Sequence, residues 1–429
     1  MVAVERIVGS YNAWAGNGAS QAPDWLKDIR SGAIARFQSL GFPTMKQEAW
    51  RFTSVAPIAE GSFELAKHPT RVLTLDDLRQ FLLFEAGYRL VFLDGFFQPS
   101  LSTPFSDDVQ SLGHVLSHRP DLVREHIGKY ASTGDQPFSA LNTAFVNEGA
   151  FVHVPAKATI AEPVQLLFLA SGDNPVVTHP RNLVVLEREA RASIVETYAS
   201  LGTGAYWTNS VTEIVVGDGA RVDYHRVQRE SERAYHVATT QTHQGRDSTV
   251  HLHTVAFGAS LARHDIGAVM AGPGGTLILN GLYLLAGQQH ADHHTTIDHA
   301  ADHCASHEYF NGVLDEKSRG VFTGRIIVRP GAQKTDSKQT NNNLLLSTDA
   351  HADSQPQLEI YADDVKCTHG STVGPLDPRA LFYLRSRGVG EAEARRLLTY
   401  GFAAEILGRM NVAPLRAELD RVVRERLAE

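Results

Sequence analysis

Cysteine is almost missing from this chain: only Cys304 and Cys367 occur in 429 residues. Two thiols cannot staple a secreted fold or close a four-cysteine metal site, and they fit a reducing compartment. No apolar run approaches the roughly 18 residues that a membrane span needs. The stretch from Met1 to Gly16 mixes Glu5, Arg6 and Asn12 with scattered apolar residues, so no signal peptide is read there. A cytoplasmic protein, off the membrane, is the expectation. Catalytic signatures are missing as well. The only Gly-Lys pair, Gly128-Lys129, lacks the earlier glycine of a phosphate loop and is followed by Tyr130, which argues against ATP hydrolysis by this chain. Gly-x-Ser-x-Gly, His-Glu-x-x-His and Cys-x-x-Cys are also absent, so the chain is read as no self-sufficient enzyme. A net charge of -8 from 40 basic and 48 acidic residues is too mild for a nucleic-acid surface.

Histidine is what the chain has in excess, with 20 residues, and imidazole is a common metal ligand. At 429 residues and 43% hydrophobic composition, two or three domains are expected. Residues 1–137 read as a helical or mixed domain, with amphipathic stretches Trp25–Leu40 and Leu75–Ala86, the second opened by Thr74 as N-cap. The turn-rich Ser132 to Pro137 ends this unit. Residues 138–371 turn to short β-branched and aromatic runs. Ala190, Gly219, Asp247 and Gly274, taken as equivalent turn positions, give a near-period of roughly 28 residues, a length in the range of solenoid repeats. Strands and turns at that period fit a β-solenoid, with an irregular β-sandwich as the alternative. Residues 372–429 read as three helices, starting at Asp377-Pro378, Glu391 and Pro414.

Two groups of residues carry ligand chemistry. His290, His293, His294, His299, His303 and His307 lie among Asp292, Asp298, Asp302 and Cys304. On a strand, His293 and His294 point to opposite faces, so the run cannot converge as a whole. It is read either as a hydrogen-bonded surface or as a secondary metal or interface group of His293, His294, His299, His303 and Cys304. The second group is Cys367-Thr368-His369. In an extended strand Cys367 and His369 share one face, while Lys366 and Thr368 take the other. Lys366 could modestly favour the thiolate. One thiolate and one imidazole cannot complete a tetrahedral site, so further ligands must come from elsewhere, such as another polypeptide.

The runs Asp292-His293-His294-Thr295, Gln333-Lys334-Thr335-Asp336, Pro356-Gln357-Leu358-Glu359-Ile360, Asp363 to Gly370 and Leu381 to Gly388 together resemble the SufB/SufD family of SUF iron-sulfur cluster assembly scaffolds. Glu48 to Thr53 resembles that family's N-terminal signature. Gln355 departs from the lysine often found there. Cys-Thr-His-Gly favours the SufD side of the family. The resemblance implies a mainly β fold, a right-handed parallel β-helix between N-terminal and C-terminal helical domains. It also implies a SufB-like paralogue paired through the β-helix edge, and a SufC-like ABC-type ATPase docked on the C-terminal helices through Phe382, Arg385, Arg387, Gly401, Phe402 and Glu405. His369, with Cys367, would face the paralogue across a transient, shared iron or iron-sulfur site. The isolated chain would hold no cofactor and could pair with itself, and a reduced flavin could serve in the complex. Two other readings compete: a structural adaptor that offers no ligand, and a β-helix enzyme using Asp315 and Glu316.

Overall fold

In the computed structural model, residues 2–17, 22–69, 71–84 and 87–428 are described. The strands alternate between an 11-stranded and a 10-stranded sheet. From Arg181 onward each strand pairs in parallel with the strand two positions later in sequence. The chain therefore winds as a parallel β-helix, the solenoid alternative of the sequence reading. The turn ladder explains the near-period. Glu189, Gly219, Asp247, Gly274, His303 and Lys334 all have positive φ, from 52° to 75°. They recur at nearly even intervals of roughly 29 residues, one per coil, as stacked solenoid repeats require. The first equivalent position is therefore Glu189 rather than Ala190. Most of these residues are not glycine, so each coil accepts a local left-handed cost to turn the corner.

Inward residues of both sheets, including Leu166, Ile194, Tyr224, Leu252, Leu279 and Ile326, form one apolar core along the helix axis. One end is closed. There the sheets finish in short antiparallel pairs, Val109–Ser111 against Ala150–Val154 and Phe96–Phe97 against Arg89–Leu93. The fully buried helix Pro137–Ala144 lies beside the helix Asp24–Leu40, and Phe37, Trp50, Phe138 and Trp207 pack as one aromatic cluster. Arg181 and Glu213 meet at 2.6 Å with no exposure. Glu213 also accepts from the amides of Gly128, Tyr130 and Ala131. Burial alone would raise its carboxyl, but Arg181 and these amides hold it below its ordinary range.

The helical expectations map closely onto the chain. Trp25–Leu40 lies within Asp24–Leu40. The three C-terminal helices are Pro378–Ser386, Glu391–Leu407 and Ala413–Arg426, the first capped by Asp377 Oδ1 at the Arg379 amide. Thr74 caps with a reciprocal Asp77 box, but the α-helix it opens is only Leu75–Leu78, followed by a tighter turn to Phe81. The end of the predicted stretch, 85–86, lies outside the described residues. A first helix, Val2–Asn17, was not anticipated. The last two helices lay Ala403, Ile406, Leu407, Leu415 and Leu419 over outward-facing Val195, Val227, Val255 and Val313 of one sheet. No described helix is long and apolar enough to cross a membrane.

Candidate functional site

The other end of the β-helix is open. Its last strands, His351–Ile360 and Lys366–Gly374, each terminate a sheet and pair on one side only. Ile360, Tyr361 and Val373 are 40%, 61% and 49% exposed, large apolar groups on an edge that still has backbone donors and acceptors to offer. Cys367 is in register with buried Ser337, and His369 with buried Gln339. Both therefore face the inside of the helix, as their spacing predicts, with Cα atoms roughly 6.6 Å apart for residues two apart on a strand. Lys366 and Thr368 are exposed. His369 is exposed at the rim, whereas Cys367 is half-buried and packs against the core.

Beneath this rim the interior becomes polar. The row under Cys367, His369 and Ser371 is Ser337, Gln339 and Asn341, followed by Asn343, all buried. Asn341 donates to the Tyr283 hydroxyl and Asn343 to Asn341 Oδ1. Gln339 donates to Glu308, its neighbour in the next coil. Glu308, Gln339 and His369 thus form one column, each step about 4.8 Å. Gly324 faces this column because any side chain there would collide with the Gln339 amide. Burial pushes the Glu308 carboxyl up to about 7. Gln339 Oε1 and Ser354 Oγ are buried without a partner among the described residues, a state that buried polar groups rarely keep. Burial also pushes the Cys367 thiol up, against a smaller opposing effect of the Ser337 amide. The thiolate-favouring influence expected of Lys366 does not prevail, because Lys366 lies on the other face.

The histidine-dense run divides between two surfaces. His293 and His299 face inward. His293 stacks on Tyr283, with ring centroids 5.2 Å apart, and His299 Nε2 meets Ser306 Oγ at 2.8 Å. His290, Asp292 and His294 face outward and receive the segment Glu48 to Thr53. The Thr53 hydroxyl bonds Asp292 and His290. Arg263 joins Asp292, Asp265 and the Ala49 carbonyl at 2.7 Å each, and stacks on Trp50 at 3.7 Å. Burial would raise Asp292, but Arg263, His294 and Thr53 hold it below the ordinary carboxylate range. His303 sits exposed at a corner beside Asp302, and His307 pairs outward with Asp336. Cys304 is buried in the core, where burial pushes its thiol up. Among the described residues, no three His, Cys, Asp or Glu side chains come together as a ligand set.

Of the C-terminal candidates, Phe382 is 74% exposed on a helix that buries nothing, and Arg387 stacks on exposed Tyr383. Arg385 pairs with Glu391, and exposed Glu405 with Arg409. Gly401 is open. Phe402 instead packs partly against the sheet, and its carbonyl accepts from Asn311.

Sequence reasoning missed Glu308, Gln339, Asn341 and Asn343 as one interior wall. The alternation of Gln339, Asn341 and Asn343 with Lys338, Thr340 and Asn342 was the available signal for three of them.

Residues 168–402 match the family model described as SUF system FeS cluster assembly, SufBD core domain, and residues 9–166 match the SufBD protein N-terminal region. A SufBD family iron-sulfur cluster assembly protein of Synechocystis is 36% identical over 412 residues, covering 93% of this chain and 90% of its own length. The iron-sulfur cluster assembly protein SufD of Escherichia coli is 30% identical, covering 90% of each chain, and SufD of Bacillus subtilis is 27% identical, covering 95% of each. A mainly β solenoid with helices at both ends, its Cys-x-His strand on the open rim, this chain belongs by both measures to the SufBD family of SUF iron-sulfur cluster assembly proteins.

Proposed function

We propose that this chain is a non-catalytic scaffold subunit that contributes half of a shared iron or cluster assembly site at its open end. The observation that carries this reading is an incomplete ligand pair on an unpaired strand edge. His369 and Cys367 stand at a rim where exposed apolar groups and free backbone await a second chain. A SufB-like paralogue would extend both sheets and bring the missing ligands. The three segments then divide the work: 1–137 closes one end, 138–371 carries the site, and 372–429 receives a SufC-like ABC-type ATPase. For the last task the exposed Phe382, Tyr383 and Arg387 offer aromatic and arginine anchors of the kind that dominate interfaces.

Iron and sulfide are the cargo here. His369 supplies an imidazole nitrogen from an exposed position. Cys367, its thiol pushed up by burial, must give up its proton to the medium before it binds a metal, and its packing against the core gives it a structural duty as well. His369 is accordingly the principal ligand and Cys367 the accessory one.

The test is co-expression of His369→Ala with paralogue and ATPase, followed by anaerobic reconstitution. Intact complex with iron and sulfide reduced at least about tenfold, the loss expected when a coordination sphere is disturbed, is the expected outcome. A variant complex that assembles clusters at the full rate and content overturns the reading and leaves the structural adaptor.

A further inference from the structure

We propose that Gln339 is a positioning residue for His369: its side-chain carbonyl accepts a hydrogen bond from one ring nitrogen and leaves the other, with its lone pair, for the shared site at the rim. This inference rests on the shared-site reading above. It starts from an acceptor that nothing has claimed. Gln339 is 1% exposed, and its Oε1 is buried without a partner among the described residues. Buried acceptors rarely keep that state. Oε1 is out of reach of solvent, so its donor must come from the chain itself.

The neighbours of Gln339 are committed elsewhere. Its own Nε2 donates to Glu308 Oε2 in the preceding coil. A carboxylate only accepts, so this bond fixes the sense of the amide and leaves Oε1 on the side away from Glu308. Along the strand, Ser337 is engaged with Ser306, and Asn341 donates to Tyr283. The Thr295 hydroxyl is turned to Glu308, whose carboxyl it helps to hold down. Across the interior, Gly324 brings no side chain, and even a Cβ there would collide with the Gln339 amide. Pro356, paired with Gly324 in the next coil, has no N–H to give.

His369 is what remains. The strand Lys366–Gly374 sets it in register with Gln339, one coil step of about 4.8 Å away and facing the same interior. Exposed at the rim, its ring has room to turn on the side-chain bonds until an N–H meets Oε1. In its neutral form an imidazole has one N–H and one lone pair, and the bond made by the first decides which nitrogen carries the second. Histidines that bind metals are commonly held this way by a carbonyl or carboxylate. Cys367 has only Ser337 beneath it, so the amide support belongs to His369 alone of the pair.

The experiment reads the ring itself. The full chain, carrying isotopically labelled histidine, is recorded by NMR at pH 8, above the value of about 7 to which burial pushes Glu308, and the signals missing from His369→Ala are those of His369. Wild type should give two well-separated ring-nitrogen shifts, the mark of one tautomer. Gln339→Met, which keeps the length and drops the acceptor, should draw them together toward the average of a freely exchanging ring. In the complex with paralogue and ATPase, the same variant should lower reconstituted iron at least about tenfold without loss of the complex. Exchanging the pair, Glu308→Gln with Gln339→Glu, keeps the order of donor and acceptor and should restore both readouts. If Gln339→Met fails to fold, the wild-type spectrum decides, and averaged shifts for His369 overturn the proposal. His369 shifts that Gln339→Met leaves unchanged, or altered shifts with full iron content, overturn it while iron loss in His369→Ala upholds the shared site. Full iron content in His369→Ala is the separate outcome that overturns the shared-site reading, and the positioning role with it.

Discussion

At the closed end of the β-helix the two sheets run into short antiparallel strands, and along the outer face of the 11-stranded sheet lies a layer of rings in which Phe138 and Trp207 are 3% and 1% exposed. At the open end the last strands carry Ile360 and Tyr361 at 40% and 61% exposure, with no following strand. The same coil geometry serves both ends, so the difference lies in what has been added. Antiparallel strands finish one end, and the N-terminal helices cover the outer face of the 11-stranded sheet, which then contributes to stability. The other edge keeps its pairing groups and its ligands available for use.

The contrast is broken most forcefully by acid. His179 and His253 are pushed by burial down to about 3, and His225, His293 and His299 to about 4. In the unfolded chain these imidazoles take up protons near pH 6.5, well before the folded chain does, so stability is complete above that pH and lost as pH falls toward 4. Glu308 and Glu148, raised to about 7, act oppositely between roughly pH 4.5 and 7, where folded protein holds protons that the unfolded chain has released. Five groups against two leave a net loss on the order of 5 kcal/mol between pH 7 and 4.5, measurable by urea titration at each pH. None of these groups stands on the open rim, so His369→Ala should leave the profile unchanged.

Truncation sharpens the comparison directly. Phe138→Ala or Trp207→Ala should cost about 3–5 kcal/mol in chemical denaturation of the isolated chain, the usual range for large buried rings. Ile360→Ala should cost under about 1 kcal/mol, because little area is withdrawn from water there. Equal losses would mean that the open end is already covered in solution. Glu308→Gln probes the zone between: it should stabilise by about 2 kcal/mol at pH 8, where the buried carboxyl must ionise or hold a proton against solvent, and by almost nothing at pH 5. The smallest stability change, within about 0.5 kcal/mol, belongs to exposed His369→Ala, even though that variant carries the largest expected loss of cluster assembly.

Much of this contrast could be read before the fold was known, where one residue period governs. Apolar spacing outlined Glu391–Leu407 and Ala413–Arg426, and strand alternation put Cys367 and His369 on one face. The turn repeat was found with its first position displaced by one, since Ala190 adjoins Glu189 and only backbone φ tells them apart. The histidine run looked like one cluster because proximity in sequence says nothing of which partner lies opposite: Glu48 to Thr53 docks there from the N-terminal segment, across most of the intervening chain. The polar interior was hidden for a related reason. Asn341-Asn342-Asn343 has the composition of a turn, and only the neighbouring coils, by setting Tyr283 and Phe310 against it, make it a strand with buried amides.

The closed end also sets a limit on number. A solenoid with two bare ends can add copies at both and grow as a fibre. Here one end finishes in short antiparallel strands, of which Val109–Ser111 is buried. Any chain joined through the bare edge, whether a paralogue capped in the same way or a second copy, uses up the one growth point that each partner has. Association confined to the bare edge would then close at two β-helices joined end to end, a finite pair rather than a filament.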